Sequence, residues 1–185
     1  MKMTYILSTL LACTLLFQGC SKEDAVEDTN DMVSTNEYVL TALNKQQFVI
    51  KKELDGFVLE NAKGKVILLD IFATWCPPCQ AEASHLSSLQ EKYKDNLVVI
   101  GITIEDGIPD QKLQDFRTKY NAQYTLVNSI ENRRMVDEIA STLKVGERFP
   151  IPLMAMYKDG KLVNYYTGAT EEEFIESDIK KALGK

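Results

Sequence analysis

Residues 66–72 read VILLDIF and run straight into ATWCPPC. An almost unbroken apolar run of strand length marks a strand buried on both faces, the central position of a sheet covered by helices. That placement makes Asp70 conspicuous, since a carboxylate inside such a strand has lost its water. The motif that follows sets Cys76 and Cys79 on a strand-to-helix turn, with only Pro77 and Pro78 between them. A chain built around these fourteen residues must assemble an α/β sheet and hold two thiols at one end of its central strand.

The rest of the chain supplies the other elements. Short β-like pieces at 48–51 and 57–59 flank the Asp55-Gly56 turn signal. After WCPPC a helix is expected to about Tyr93, a second buried strand over 97–104, a helix over 110–120 and a short strand near 124–127. A helix over 132–143 leads to Phe149-Pro150-Ile151-Pro152. Two further strands, 153–157 and 162–166, flank Lys158-Asp159-Gly160-Lys161, an Asp-Gly hairpin signal. The pattern Thr170-Glu171-Glu172-Glu173 reads as a capping box opening a last helix that stops at Gly184. Parallel βαβ units followed by an antiparallel hairpin predict a mixed α/β sheet. Residues 38–185 are the right length for one domain.

The N-terminus reads differently. Lys2 precedes an apolar stretch from Tyr5 to Phe17, shorter than the roughly 20 residues a bilayer core needs, which favours an export signal over a membrane span. The end of that stretch, Leu16-Phe17-Gln18-Gly19-Cys20, resembles the lipobox of bacterial lipoproteins, although Phe17 stands where the pattern prefers Leu. The resemblance implies removal of residues 1–19 and lipidation of Cys20; an ordinary cleaved signal is the alternative. Residues 20–37, polar and acidic, are expected to form a flexible tether. The net charge of −6, one unit more negative once Lys2 is lost, argues against nucleic acid or anionic lipid surfaces as partners. Membrane contact would come from acyl chains.

The chain has four cysteines, at 13, 20, 76 and 79, and one histidine, His85. A structural zinc site needs about four N or S ligands, which a mature chain with two free thiols does not supply. A bridge across two intervening residues closes too small a loop to constrain the unfolded chain much. Thiol exchange is the reading that remains, and it requires one exposed, activated sulfur with a second beside it to resolve the mixed disulfide. Use of Cys76, Cys79 and His85 for a soft ion such as Cu(I) is the non-enzymatic alternative.

VILLDIFATWCPPC resembles the active-site segment of the thioredoxin fold, and IPLMAMYKDGKLV resembles the later segment with its cis-proline and hairpin. The longer layout is similar to the TlpA-like branch, membrane-tethered disulfide reductases that include cytochrome c maturation thioredoxins, with residues 108–127 filling the branch's helix-strand insertion. The resemblance implies that Cys76 attacks and Cys79, the more buried thiol, resolves. It implies that Asp70 takes the proton of the resolving cysteine, a surface strand end being the plainer alternative. It gives Glu82 an acidic role beside Cys79, against a solvated helix carboxylate. Trp75, Pro77, Pro78, Ile151 and Pro152 would form the substrate surface, with Trp75 alternatively a packing residue and Pro152 the cis-proline. Ser84 stands where the family usually has a proline, so the active-site helix is expected to run straighter. His85 is expected to be a partly exposed helix residue.

Pro77 and Pro78 lack N–H groups, so two donors that would stabilise a Cys76 thiolate at a helix start are missing. Strong oxidants of this fold depend on a thiolate held unusually well. The expectation is therefore a reductant working as a monomer, without cofactor or metal, on disulfides of envelope proteins, apocytochrome c among them. The resemblance implies a transmembrane thiol reductase as electron donor and a lipid-anchored position on the periplasmic side of the membrane. An oxidase or isomerase of the same fold is the alternative.

Overall fold

A computed structural model describes residues 36–185. The expected signal, the lipid site Cys20 and the tether up to residue 35 lie outside the described residues. Eight strands and four α-helices follow in order: β1 Glu37–Thr41, β2 Gln47–Lys52, β3 Phe57–Leu59, β4 Val66–Phe72, α1 Pro77–Lys92, β5 Leu97–Thr103, α2 Asp110–Tyr120, β6 Thr125–Val127, α3 Asn132–Leu143, β7 Leu153–Lys158, β8 Lys161–Thr167 and α4 Glu172–Ala182.

The main sheet has the order β6-β5-β4-β7-β8. β4 pairs in parallel with β5 and antiparallel with β7, and all seven of its residues are buried. This is the mixed thioredoxin-like sheet, with α2 and β6 as its added helix and strand. β1, β2 and β3 form a separate antiparallel sheet. β1 is absent from the sequence expectation: EYVLT buries only Tyr38 and Leu40, too short an alternation to stand out beside an acidic stretch.

Strand alternation divides the side chains of β4 between two cores. Val66, Leu68 and Phe72 join Leu86 and Leu89 of α1, Leu113 and Phe116 of α2, and Ile175 and Ile179 of α4. Ile67, Leu69 and Ile71 join Met135, Val136 and Ile139 of α3 and the small sheet's Leu40, Ile50 and Phe57. Asp70 shares the pleat of Leu68 and Phe72, so its carboxyl faces the side on which α1 packs. The β7–β8 turn takes the left-handed backbone that its Asp-Gly pair favours, with φ of 49° at Asp159 and 76° at Gly160.

One local expectation is corrected. The capping box at the start of α4 does not form. Glu171 is the N-cap and makes no side-chain cap bond, while the Thr170 N–H donates to Glu82 Oε2 at 3.1 Å. The Thr170 hydroxyl donates to the Gly168 carbonyl instead, at 3.4 Å. Helix α1 does run unbroken past Ser84. Among the described residues no helix is long and apolar enough to cross a membrane.

Candidate active site

The site is built where β4 ends and α1 begins. Cys76 is the N-cap of α1, and Pro77 and Pro78 occupy its first two positions. The first amide able to reach back is that of Cys79, whose N–H donates to Cys76 Sγ at 3.3 Å. The two cysteines are joined as a disulfide, with Cα atoms 5.3 Å apart. Their exposures, 2% and 3%, are nearly equal, so the expected contrast between an exposed and a buried thiol is not present in this oxidised state. Trp75 is 61% exposed and so is not a packing residue. Pro77, Pro78 and His85 are exposed as well.

The opposite wall comes from the segment before β7. The Ile151–Pro152 peptide bond is cis, Pro152 is buried and Ile151 half-buried. The Ile151 carbonyl oxygen lies 3.7 Å from Cys76 Sγ. Pro152 is itself tied to the end of β8, its carbonyl accepting the Gly168 N–H at 2.8 Å.

Two buried carboxyls, close enough to act on each other, come from β4 and α1. Asp70 is 2% exposed, which removes the reading of a surface strand end. Its Oδ2 accepts the Tyr124 hydroxyl at 3.0 Å, and its Oδ1 has no partner. Burial pushes its pKa up to about 7, against a lowering by the Tyr124 hydrogen bond and a further rise from Glu82. Glu82 lies one turn into α1 and is 3% exposed; it is no solvated helix carboxylate. Burial raises its pKa to about 7, while the Thr170 amide and the charge of His85 pull it down. Its Oε1 is also without a partner. Desolvation outweighs the hydrogen bonds in both, so near neutrality each carboxyl is divided between a proton donor and a proton acceptor.

Sequence reasoning missed several supporting residues. Glu105, just past β5, accepts the Thr74 N–H at 2.6 Å and pairs with Lys112 Nζ at 2.5 Å. Burial favours its neutral form, but Lys112 and Thr74 outweigh that and hold it below its ordinary value. This fixed charge pins the turn two residues before Cys76, and Gln80 Nε2 holds the same turn by donating to the Thr74 carbonyl at 2.7 Å. Tyr124, which holds Asp70, and Thr170, which holds Glu82, are two more. Glu105 stands at the carboxyl end of a central strand, where α/β folds place functional groups; Tyr124 and Thr170 carry no such local signal. A surface cleft lined by Arg133, Asp137, Lys144 and Phe149 among others includes neither cysteine.

A mixed sheet of this topology with a Cys-Pro-Pro-Cys cap beside a cis-proline defines the class of thioredoxin-fold thiol-disulfide oxidoreductases. The pattern of the Redoxin family matches residues 35–183, and the chain belongs to that family. It is 30% identical over 149 residues to thiol-disulfide oxidoreductase ResA of Bacillus thuringiensis strain Al Hakam, covering 75% of this chain and 81% of that one. A ResA of Bacillus cereus is 28% identical over 177 residues, covering 95% of this chain and 90% of that one. Among solved structures, a thioredoxin-family thiol:disulfide interchange protein of Chlorobium tepidum TLS superposes with a TM-score of 0.64 at 16% identity, covering 80% and 94% of the two chains. These findings agree with the TlpA-like expectation for the fold.

Proposed function

We propose that the protein is an exported disulfide reductase of the bacterial cell envelope, held to the membrane by lipid on Cys20. Its substrates are disulfides of envelope proteins, apocytochrome c among them, and a transmembrane thiol reductase returns its electrons. The names of the Bacillus relatives, thiol-disulfide oxidoreductase ResA, support the reaction class. The observation that carries the direction is the cap of α1. With prolines at its first two positions, the amide that donates to Cys76 Sγ among the described residues is that of Cys79. A thiolate so modestly stabilised makes the reduced form a willing electron donor. The two buried carboxyls act the same way, since their charged forms oppose a further negative charge beside them.

The reaction has two exchanges. Cys76, as thiolate, attacks one sulfur of the substrate disulfide; that S–S bond breaks, a mixed disulfide forms, and the first substrate thiol leaves and takes a proton. Cys79 then gives its proton to Asp70 and attacks Cys76 Sγ. The mixed disulfide breaks, the Cys76–Cys79 bond forms, and the second substrate thiol departs. Two electrons have passed from the pair to the substrate. Glu82, from the same face, relays or stores the proton. Trp75, Pro77, Pro78 and the Ile151–Pro152 segment offer the surface against which an extended substrate lies.

Replacing Cys79 with Ser removes the second exchange and should trap mixed disulfides on Cys76 in cells, with envelope proteins on one side and the membrane thiol donor on the other. Mass spectrometry of the trapped adducts checks this. Recovery of no adduct in an expressing strain would contradict a dedicated exchange role, and adducts confined to an oxidising partner would favour the oxidase reading.

A further inference from the structure

Asp70, Gly101 and Tyr124 come together from three neighbouring segments of the main sheet. Gly101 of β5 is opposite Asp70 of β4 and opposite Leu126 of β6 in the strand register. Tyr124 enters just before β6. A Cβ on residue 101 would stand 2.9 Å from Tyr124 Cε2, 2.9 Å from Leu126 Cδ2 and 3.2 Å from Phe72 Cε1. The two separations of 2.9 Å are closer than real Cβ contacts come, so the ring passes the middle strand at a position where that strand carries no side chain. The crossing ends with the Tyr124 hydroxyl donating to Asp70 Oδ2 at 3.0 Å. Tyr124 is almost wholly buried, and behind it Arg117 Nη2 of α2 donates to its backbone carbonyl at 3.3 Å.

We infer that Tyr124 is a positioning residue of the exchange site: reaching Asp70 through the gap at Gly101, its hydroxyl orients that carboxyl and sets how readily it accepts the Cys79 proton. The inference rests on the acid role proposed for Asp70. One carboxyl oxygen is committed to the tyrosine and the other has no partner, which leaves the second as the oxygen available to a proton. Donation to the carboxylate stabilises the charged form of Asp70. Without it the carboxyl would hold its proton more firmly at neutral pH and accept one from the thiol less often. The groups that act on Asp70 are Tyr124 and Glu82; Cys79 of α1 and its N-cap Cys76 belong to the core on the same face of β4, and Arg117 lies beyond the tyrosine. Of these, the tyrosine supplies the hydrogen bond that favours the charged acid, while burial and Glu82 oppose it. The tyrosine itself stays protonated, since burial and then Asp70 push its pKa well above the ordinary value.

Tyr124→Phe keeps the ring in its place and removes only the donor. In the oxidised protein, where no thiol titrates, the Asp70 carboxyl carbon followed by ¹³C NMR should show its midpoint rise by about one pH unit. In the reduced protein mixed with oxidised glutathione, release of glutathione from Cys76 should slow about fivefold at pH 7, following the loss of charged Asp70, and recover as the pH is raised. A midpoint moved by less than about 0.3 unit in Tyr124→Phe overturns the inference. Release of glutathione from Asp70→Asn at the unmutated rate contradicts the role of the acid and overturns the inference with it. A wild-type midpoint in Tyr124→Phe together with slow release in Asp70→Asn overturns the inference alone and leaves the acid in place.

Discussion

Asp70→Asn stabilises the oxidised protein by about 3 kcal/mol at pH 8 and changes it little, about 0.5 kcal/mol, at pH 4. The cause is the burial that carries the Asp70 carboxyl from 3.8 to about 7. A carboxyl whose pKa is raised by folding binds its proton more tightly in the fold than in the unfolded chain. Its contribution is therefore fully favourable below the unfolded value near 4 and is lost as the pH rises through about 7. At 1.36 kcal/mol per pH unit that difference corresponds to about 4 kcal/mol. Part is forfeited because an amide meets Tyr124 less well than a carboxylate does. Glu82, raised in the same sense to about 7, leaves the unmutated protein still pH-dependent in this range, so the comparison must be between variants at each pH. Urea unfolding at pH 4 and pH 8 reads the difference directly. An equal change at both values, or a loss of stability at pH 8, would mean that Asp70 is not held neutral by burial. The gain in stability is expected to accompany a loss of exchange rate, as when a strained group is kept for its chemistry.

Cys76→Ser is expected to lower turnover of a protein disulfide by at least about a thousandfold, because no other group in the site can open the substrate bond. Cys79→Ser differs in kind: it completes one exchange per molecule and stops with substrate bound to Cys76. The asymmetry follows from the positions of the sulfurs. Cys76 caps the helix beside the Ile151 carbonyl, at the proposed substrate surface. Cys79 sits inside the first turn, on the side of the sheet that Asp70 faces. Quantifying released thiol per protein molecule separates the two. A Cys79→Ser protein that releases none, beside a Cys76→Ser protein that releases one equivalent, would reverse the assigned roles.

The parts of this molecule that were legible in the sequence are those whose cause is local. The apolar run of β4 reports burial on both faces, the Asp-Gly pair reports its turn, and two cysteines three apart at a strand end report an exchange site. What the sequence hid depends on distant partners. The Glu105 contact with the Thr74 amide spans 31 residues, the Tyr124 bond to Asp70 spans 54, and the Thr170 amide reaches Glu82 across 88. Thr170 shows how a local rule loses: its spacing to Glu173 fits a capping box, yet its amide is taken by a buried carboxyl and its hydroxyl by Gly168. Satisfying an acid with no water around it outweighs a cap at a solvated helix start. The equal burial of Cys76 and Cys79 was hidden for another reason, since the resemblance describes thiols and the structure holds their disulfide.

The central claim is that this site gives electrons. Equilibration of the Cys76–Cys79 pair with glutathione buffers measures its reduction potential. The helix cap with two prolines and the two buried carboxyls predict a value nearer the thioredoxin end of the range, about −270 mV, than the strong-oxidant end near −120 mV. A potential above about −150 mV would contradict the account and make the protein an oxidant.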